Sequence, residues 1–164
     1  MKYLKFIPIL LLTVFLNGCV FDDPKYINFK DKPNLYYYSN EVYENLKKDY
    51  KYSIRVFDYN FYKYYDVSEN DSDIMLSFLQ SLTNNNYIEE APTDITEPLY
   101  KIIITFDNSK KSTFAVDVYN NNFVSLYPWD GSLEKDNITM DGVPRYDNLY
   151  DFCVHIVTNT NTSN

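Results

Sequence analysis

The sequence predicts an α+β fold: an antiparallel β-meander sheet covered on one face by amphipathic helices. Three observations carry this expectation. Short runs alternate apolar and polar residues between Asn- and Asp-rich turns, the pattern of half-buried strands. Two stretches, around 74–82 and 149–156, instead repeat their apolar residues every three or four positions, as amphipathic helices do. The runs of strand type also follow one another through short connections, which suit antiparallel neighbours and leave helices to close the core.

Along the chain, residues 20–34 mix charges, two prolines and scattered aromatics without periodicity. They read either as a tether, whose ~15 residues reach about 20 Å as a flexible chain, or as a segment docked back through Phe21, Tyr26 and Phe29. Ser39 can cap a short helix over 40–49, with Val42 and Leu46 on one side and Glu44, Lys47 and Lys48 on the other. Tyr36, Tyr37 and Tyr38 form its entry or a strand. Tyr52, Ile54 and Val56 then alternate with Ser53, Arg55 and Phe57. The aromatic run 61–67 is either the hairpin partner of this strand or its continuation beyond a bulge, and Asn60 favours a turn.

Asn70 or Asp71 starts the next helix, Asp73 sits in its positive first turn, and Ile74, Met75, Phe78, Leu79 and Leu82 form its stripe. In the second half, Tyr100, Ile102, Ile104 and Phe106 share a strand face opposite Lys101 and Thr105. Phe114, Val116 and Val118 repeat the pattern, and 123–127 follows until Pro128, which lacks a ladder donor. Asp141-Gly142 signals a two-residue hairpin between 138–140 and 143–146. Asp147 or Asn148 caps a last helix bearing Leu149, Phe152, Cys153 and Ile156 at i, i+3, i+4 and i+7.

The first residues read as an address. Lys2 and Lys5 precede an apolar run, 6–16, too short for the roughly 20 residues that span a bilayer. Leu16-Asn17-Gly18-Cys19 then resembles the bacterial lipobox, although that pattern prefers Ala, Ser or Thr where Asn17 stands. The resemblance implies cleavage before Cys19, attachment of diacylglycerol to its sulfur, and residence on the extracytoplasmic face of the cell membrane. The competing reading is an ordinary cleaved signal or an uncleaved anchor. The expected organisation is a lipoprotein signal peptide at 1–18, a tether at 19–34, one α+β domain at 35–158 and a disordered tail at 159–164.

Loss of residues 1–18 removes Lys2 and Lys5 and takes the net charge from −8 to −10. No basic run exceeds two residues, so a nucleic-acid partner is not expected. Such an acidic surface should favour neutral or basic partners over anionic ones. With Cys19 lipidated, Cys153 has no disulfide partner and reads as a small buried hydrophobe.

The Tyr-x-Ile-x-Ile-x-Phe-Asp run at 100–107, Tyr127-Pro128-Trp129-Asp130-Gly131, Asp141-Gly142 and the closing Tyr-x-x-Leu-Tyr-x-Phe helix carry a further likeness. Together with the lipobox, they resemble uncharacterised small lipoproteins of clostridia and related Gram-positive bacteria, over roughly residues 66–157. That family has no known function, so the resemblance implies location and architecture and assigns no catalytic residue.

Side chains with chemistry are sparse. His155 is the only histidine and does not face Cys153 across its helix. Asp66, Glu69, Asn70, Asp71 and Asp73 form an acidic knot without the glycine and distal glutamate of a calcium loop. No phosphate loop, nucleophile elbow or zinc-protease motif occurs. The expectation is therefore a non-catalytic binding module with no cofactor, no metal ligands and no catalytic residues. The alternative is an acid/base hydrolase of cell-wall glycan. Partners are the membrane, through the lipid on Cys19, and a surface protein, peptide or glycan. The candidate contacts are Tyr127, Trp129 and Asp130 in one loop, and Tyr62 and Tyr64 in the aromatic run. Trp129 either packs over the sheet edge or carries contact energy. In a strand, either Tyr62 and Tyr64 or Phe61 and Tyr65 can face solvent.

Overall fold

A computed structural model describes residues 32–48, 50–108, 111–130 and 134–162. The expected signal peptide, Cys19 and the tether up to residue 31 lie outside these residues. Among the described residues, seven strands and three helices form an α+β fold. The strands are β1 (Tyr52–Asp58), β2 (Lys63–Asp66), β3 (Tyr87–Ile88), β4 (Tyr100–Phe106), β5 (Thr113–Val118), β6 (Phe123–Pro128) and β7 (Asp136–Thr139). They make one fully antiparallel sheet in the order β2-β1-β4-β5-β6-β7-β3. The helices are α1 (Tyr37–Lys47), α2 (Ile74–Ser81) and α3 (Leu149–Thr162).

Register explains the layers. Ile54, Val56, Ile102, Ile104, Phe114, Val116, Val118, Val124, Leu126 and Ile138 are cross-strand partners on one face, and all are buried. The helices cover that face. α1 lies against β6 and β7, α3 against β1, β2 and β4, and α2 touches both helices. Met75, Phe78 and Leu79 of α2, with Leu149, Phe152, Cys153 and Ile156 of α3, join the same core, as their spacing predicts. Asn148 caps α3, its side-chain oxygen accepting from the backbone N–H of Tyr150 at 3.0 Å and Asp151 at 3.3 Å.

Several boundaries differ from the sequence reading, each for a local reason. Ser39 lies inside α1 and is not its cap. Its backbone N–H donates to the carboxylate of Asp136 at 2.7 Å, so a residue of β7 satisfies the helix start. α2 begins at Ile74 after a 3-10 turn at Glu69–Asp71, so neither Asn70 nor Asp71 caps it. Asp141-Gly142 does turn the chain, with Gly142 at φ +77° and Val143 N–H donating to the Met140 carbonyl. No second arm forms. The free edge of β7 is taken by β3, and Pro144 followed by a 3-10 turn at Arg145–Asp147 leads the chain away. β3 has only two residues and no periodicity of its own; Asn86 anchors it by donating to the carbonyls of Thr139 and Asp141. The run 61–67 is the hairpin partner of β1, and its left-handed residue is Tyr62, at φ 51°, not Asn60.

Candidate functional site

The opposite face of the sheet carries the second register set. One row of cross-strand partners runs across all seven strands: Tyr64, Phe57, Lys101, Asp117, Ser125, Asn137 and Ile88. The next row holds Asp66, Arg55, Ile103, Ala115 and Tyr127. Among the described residues, none of the three helices lies on this face.

Aromatic rings concentrate there. Phe57 is the hub of the β1–β2 end, with ring centroids 4.7 Å from Tyr64, 4.9 Å from Tyr59 and 6.0 Å from Tyr62. The Arg55 guanidinium lies 5.2 Å over Tyr64. At the β4–β6 end, the Lys101 ammonium lies 5.0 Å from the Trp129 ring, 5.6 Å from Tyr127 and 5.9 Å from Tyr59. Tyr59 therefore joins the two groups, touching Phe57 directly and the Tyr127–Trp129 pair through Lys101, so that the rings make an interrupted stripe from β2 to β6.

Below the stripe is a buried charge cluster. Asp117 accepts from Lys135 at 2.9 Å, pairs with Lys101 at 3.3 Å and accepts the Tyr127 hydroxyl at 3.1 Å. Lys135 also lies 4.4 Å over the Tyr127 ring. Burial pulls the Lys101 ammonium down, but the Tyr127 and Tyr59 hydroxyls and the Asp117 carboxylate outweigh it and hold it well above the usual lysine range. Lys135 is raised for the same kind of reason, Asp117 overcoming burial. Both lysines thus stay charged.

Of the sequence-predicted contacts, Tyr64 and Tyr127 lie in these rows, and Tyr62 and Trp129 are tied to them by ring contacts with Phe57 and Lys101. Tyr127 is a strand residue of β6, not a loop residue, and is half-buried. Trp129 extends the β6 ladder, its backbone N–H donating to the Thr113 carbonyl at 2.8 Å, and the residue is 53% exposed. Asp130 is exposed beside it. Tyr62 and Tyr64 are exposed at 79% and 53%, whereas Tyr65, on the core side, is buried. Phe61 is exposed as well, because it sits in the turn before β2 begins. Sequence reasoning placed Tyr59 in the aromatic run with Tyr62 and Tyr64, and missed Phe57, Lys101 and Lys135. The strand period marked Phe57 and Lys101 as facing away from the core, but only strand order brings them together.

Residues 32–153 match the model of a family described as a domain of unknown function, DUF4883. The chain belongs to that family. A crystal structure described as "Putative Lipoprotein from Clostridium perfringens" is similar at 31% identity and a TM-score of 0.69, over 78% of this chain and 99% of that one. No curated protein matches the sequence.

Other features of the DUF4883 domain bear on catalysis. A cleft of about 400 Å³ between the start of α2 and the start of α3 is lined by Asp71, Asp73, Arg145, Asp147, Asp151 and His155, among others. It gathers part of the acidic knot, yet no three His, Cys, Asp or Glu among the described residues are grouped to hold a metal ion. Burial pushes the Asp147 carboxyl up. His155 is exposed and contacts Asn159. Cys153 is fully buried, and burial followed by the charge of Asp58 raises its thiol well above the usual range, which leaves it unreactive.

Proposed function

We propose that this protein is a lipoprotein anchored through Cys19 on the extracytoplasmic face of the membrane, and that it acts there as a non-catalytic binding module. The observation that carries the binding role is the helix-free sheet face, on which Tyr62, Tyr64 and Trp129 are exposed. Exposed rigid aromatics are where contact energy concentrates, and helices already fill the other face of the sheet. The lipobox resemblance and the name of the clostridial neighbour support the anchoring. Among the described residues, no helix is long and apolar enough to cross a membrane. Its partners would be a surface protein, peptide or glycan. Detergent partitioning tests the anchor: wild type should enter the detergent phase and Cys19→Ala the aqueous phase. Equal partitioning of both into water would contradict it.

A second reading has one specific support. A wall-glycan hydrolase would use the cleft at the α2 and α3 starts, where the raised Asp147 carboxyl could act as the acid beside Asp71, Asp73 or Asp151. Release of reducing ends from purified cell wall, abolished by Asp147→Asn, would favour it. No release by the wild type leaves the binding module.

A further inference from the structure

The charge on the open face points to a ligand class. Overall the chain carries −8, and Asp130 is exposed beside Trp129, but the ion-pair cluster behind the rings joins two lysines to a single aspartate. The Lys135 side chain is about a third exposed, and an ammonium that gives one hydrogen to Asp117 keeps two for another acceptor.

Ring electrostatics narrows the choice further. A cation held near one face of an aromatic ring uses the negative potential of its π-system. Tyr59, Tyr127 and Trp129 each already have Lys101 within 5.9 Å, and Tyr127 has Lys135 as well. A second cation on their free faces would meet the field of the resident lysines. A basic peptide or quaternary amine is thus disfavoured at this end, against what net charge alone suggests. A sugar ring is not: its C–H face stacks on an aromatic ring without bringing positive charge, and its acidic substituent would meet Lys135.

We infer that the Trp129 end of the open face binds an acidic glycan, with sugar rings stacked on Trp129 and Tyr59 and a negatively charged substituent at Lys135. This rests on the open face being the working surface. The stripe continues through Phe57 to Tyr64, where Arg55 supplies a second cation, so an extended chain of several sugars matches its length better than a single sugar does.

The test uses the full-length protein in detergent micelles, with Trp129 fluorescence and affinity electrophoresis as readouts. Polygalacturonate is compared with its methyl ester, which keeps the sugar rings and removes the charge, and with polyglutamate, which keeps the charge and lacks sugar. Polygalacturonate should bind at least tenfold more tightly than either, more weakly as salt rises. Trp129→Ala should weaken it at least tenfold, and Lys135→Gln should abolish discrimination between acid and ester while the fold is retained. Equal affinity for acid and ester, polyglutamate binding as tightly as polygalacturonate, or no binding of either glycan would overturn the inference. Capture from intact cells of a protein partner that Trp129→Ala releases would also overturn it, while leaving the open face as the working surface.

Discussion

Asp136 fastens α1 to β7. Its buried carboxylate accepts the Ser39 N–H at 2.7 Å and pairs with Lys32 at 3.3 Å, and Lys32 donates to the Lys135 carbonyl. Asp136→Ala would leave a buried helix-start N–H without its acceptor and should cost about 1–3 kcal/mol. Asp136→Asn keeps an acceptor and should cost less. The pH dependence has a definite sign. Burial raises the Asp136 carboxyl above 3.8, the Ser39 N–H and Lys32 opposing it. Between the ordinary and the raised value the folded chain binds more protons than the unfolded one. The contribution of this group is therefore complete below about pH 4 and is lost as pH rises through the raised value. Denaturant unfolding of wild type and Asp136→Asn across pH 3.5–6.5 should show a larger loss in the wild type, the remainder in the variant coming from the raised Asp147 carboxyl. A loss of the opposite sign would contradict the assignment. None of this was legible in the sequence, because the partners are 97 residues apart.

Elements were more legible where periodicity is long. β1, β4, β5, α2 and α3 follow from alternation or from the three-to-four repeat, since the burial that stabilises each is written into its own residues. β3 and the missing arm after Gly142 were not legible, because a two-residue strand and an already occupied edge are tertiary facts. The β1–β2 hairpin tests the face assignment within one element. Tyr65 packs on the core and is 3% exposed, while its neighbour Tyr64 faces outwards. Tyr65→Ala should cost about 3–5 kcal/mol, and Tyr64→Ala under about 1.5 kcal/mol, the scale of an aromatic pair. Urea unfolding of the two variants checks this, and equal losses would mean that β2 is set in the wrong register. Tyr62 adds a smaller check. Its left-handed backbone suits glycine better than a bulky side chain, so Tyr62→Gly should change stability by less than about 1 kcal/mol, the lost contact with Phe57 being offset by relief at the turn.

At the scale of the whole molecule, the two faces of the sheet differ in kind. One face joins three helices in a core rich in Phe, Ile and Val, and the other displays aromatic rings over a lysine–aspartate cluster. The sequence named Tyr62, Tyr64, Tyr127, Trp129 and Asp130 as two separate candidate surfaces. Their union depends on β1 pairing with β4 across a connection of 41 residues, from 59 to 99, and such long-range pairing leaves no local signal. Net charge is silent here for a related reason: a sum over the chain cannot reveal two lysines gathered around one aspartate.

The central claim is that the open face is the working surface of an anchored protein. Binding of the full-length protein to surface fractions of the producing cells tests it most directly, followed through Trp129 fluorescence and repeated with Tyr59→Ala/Trp129→Ala, read by pull-down, and with Asp147→Asn. The account predicts a change in Trp129 emission on binding, at least tenfold weaker retention of the double variant with an unchanged unfolding transition, and wild-type retention of Asp147→Asn. Retention unaffected by loss of the rings, or lost with Asp147→Asn, would contradict it and move the function to the cleft between α2 and α3.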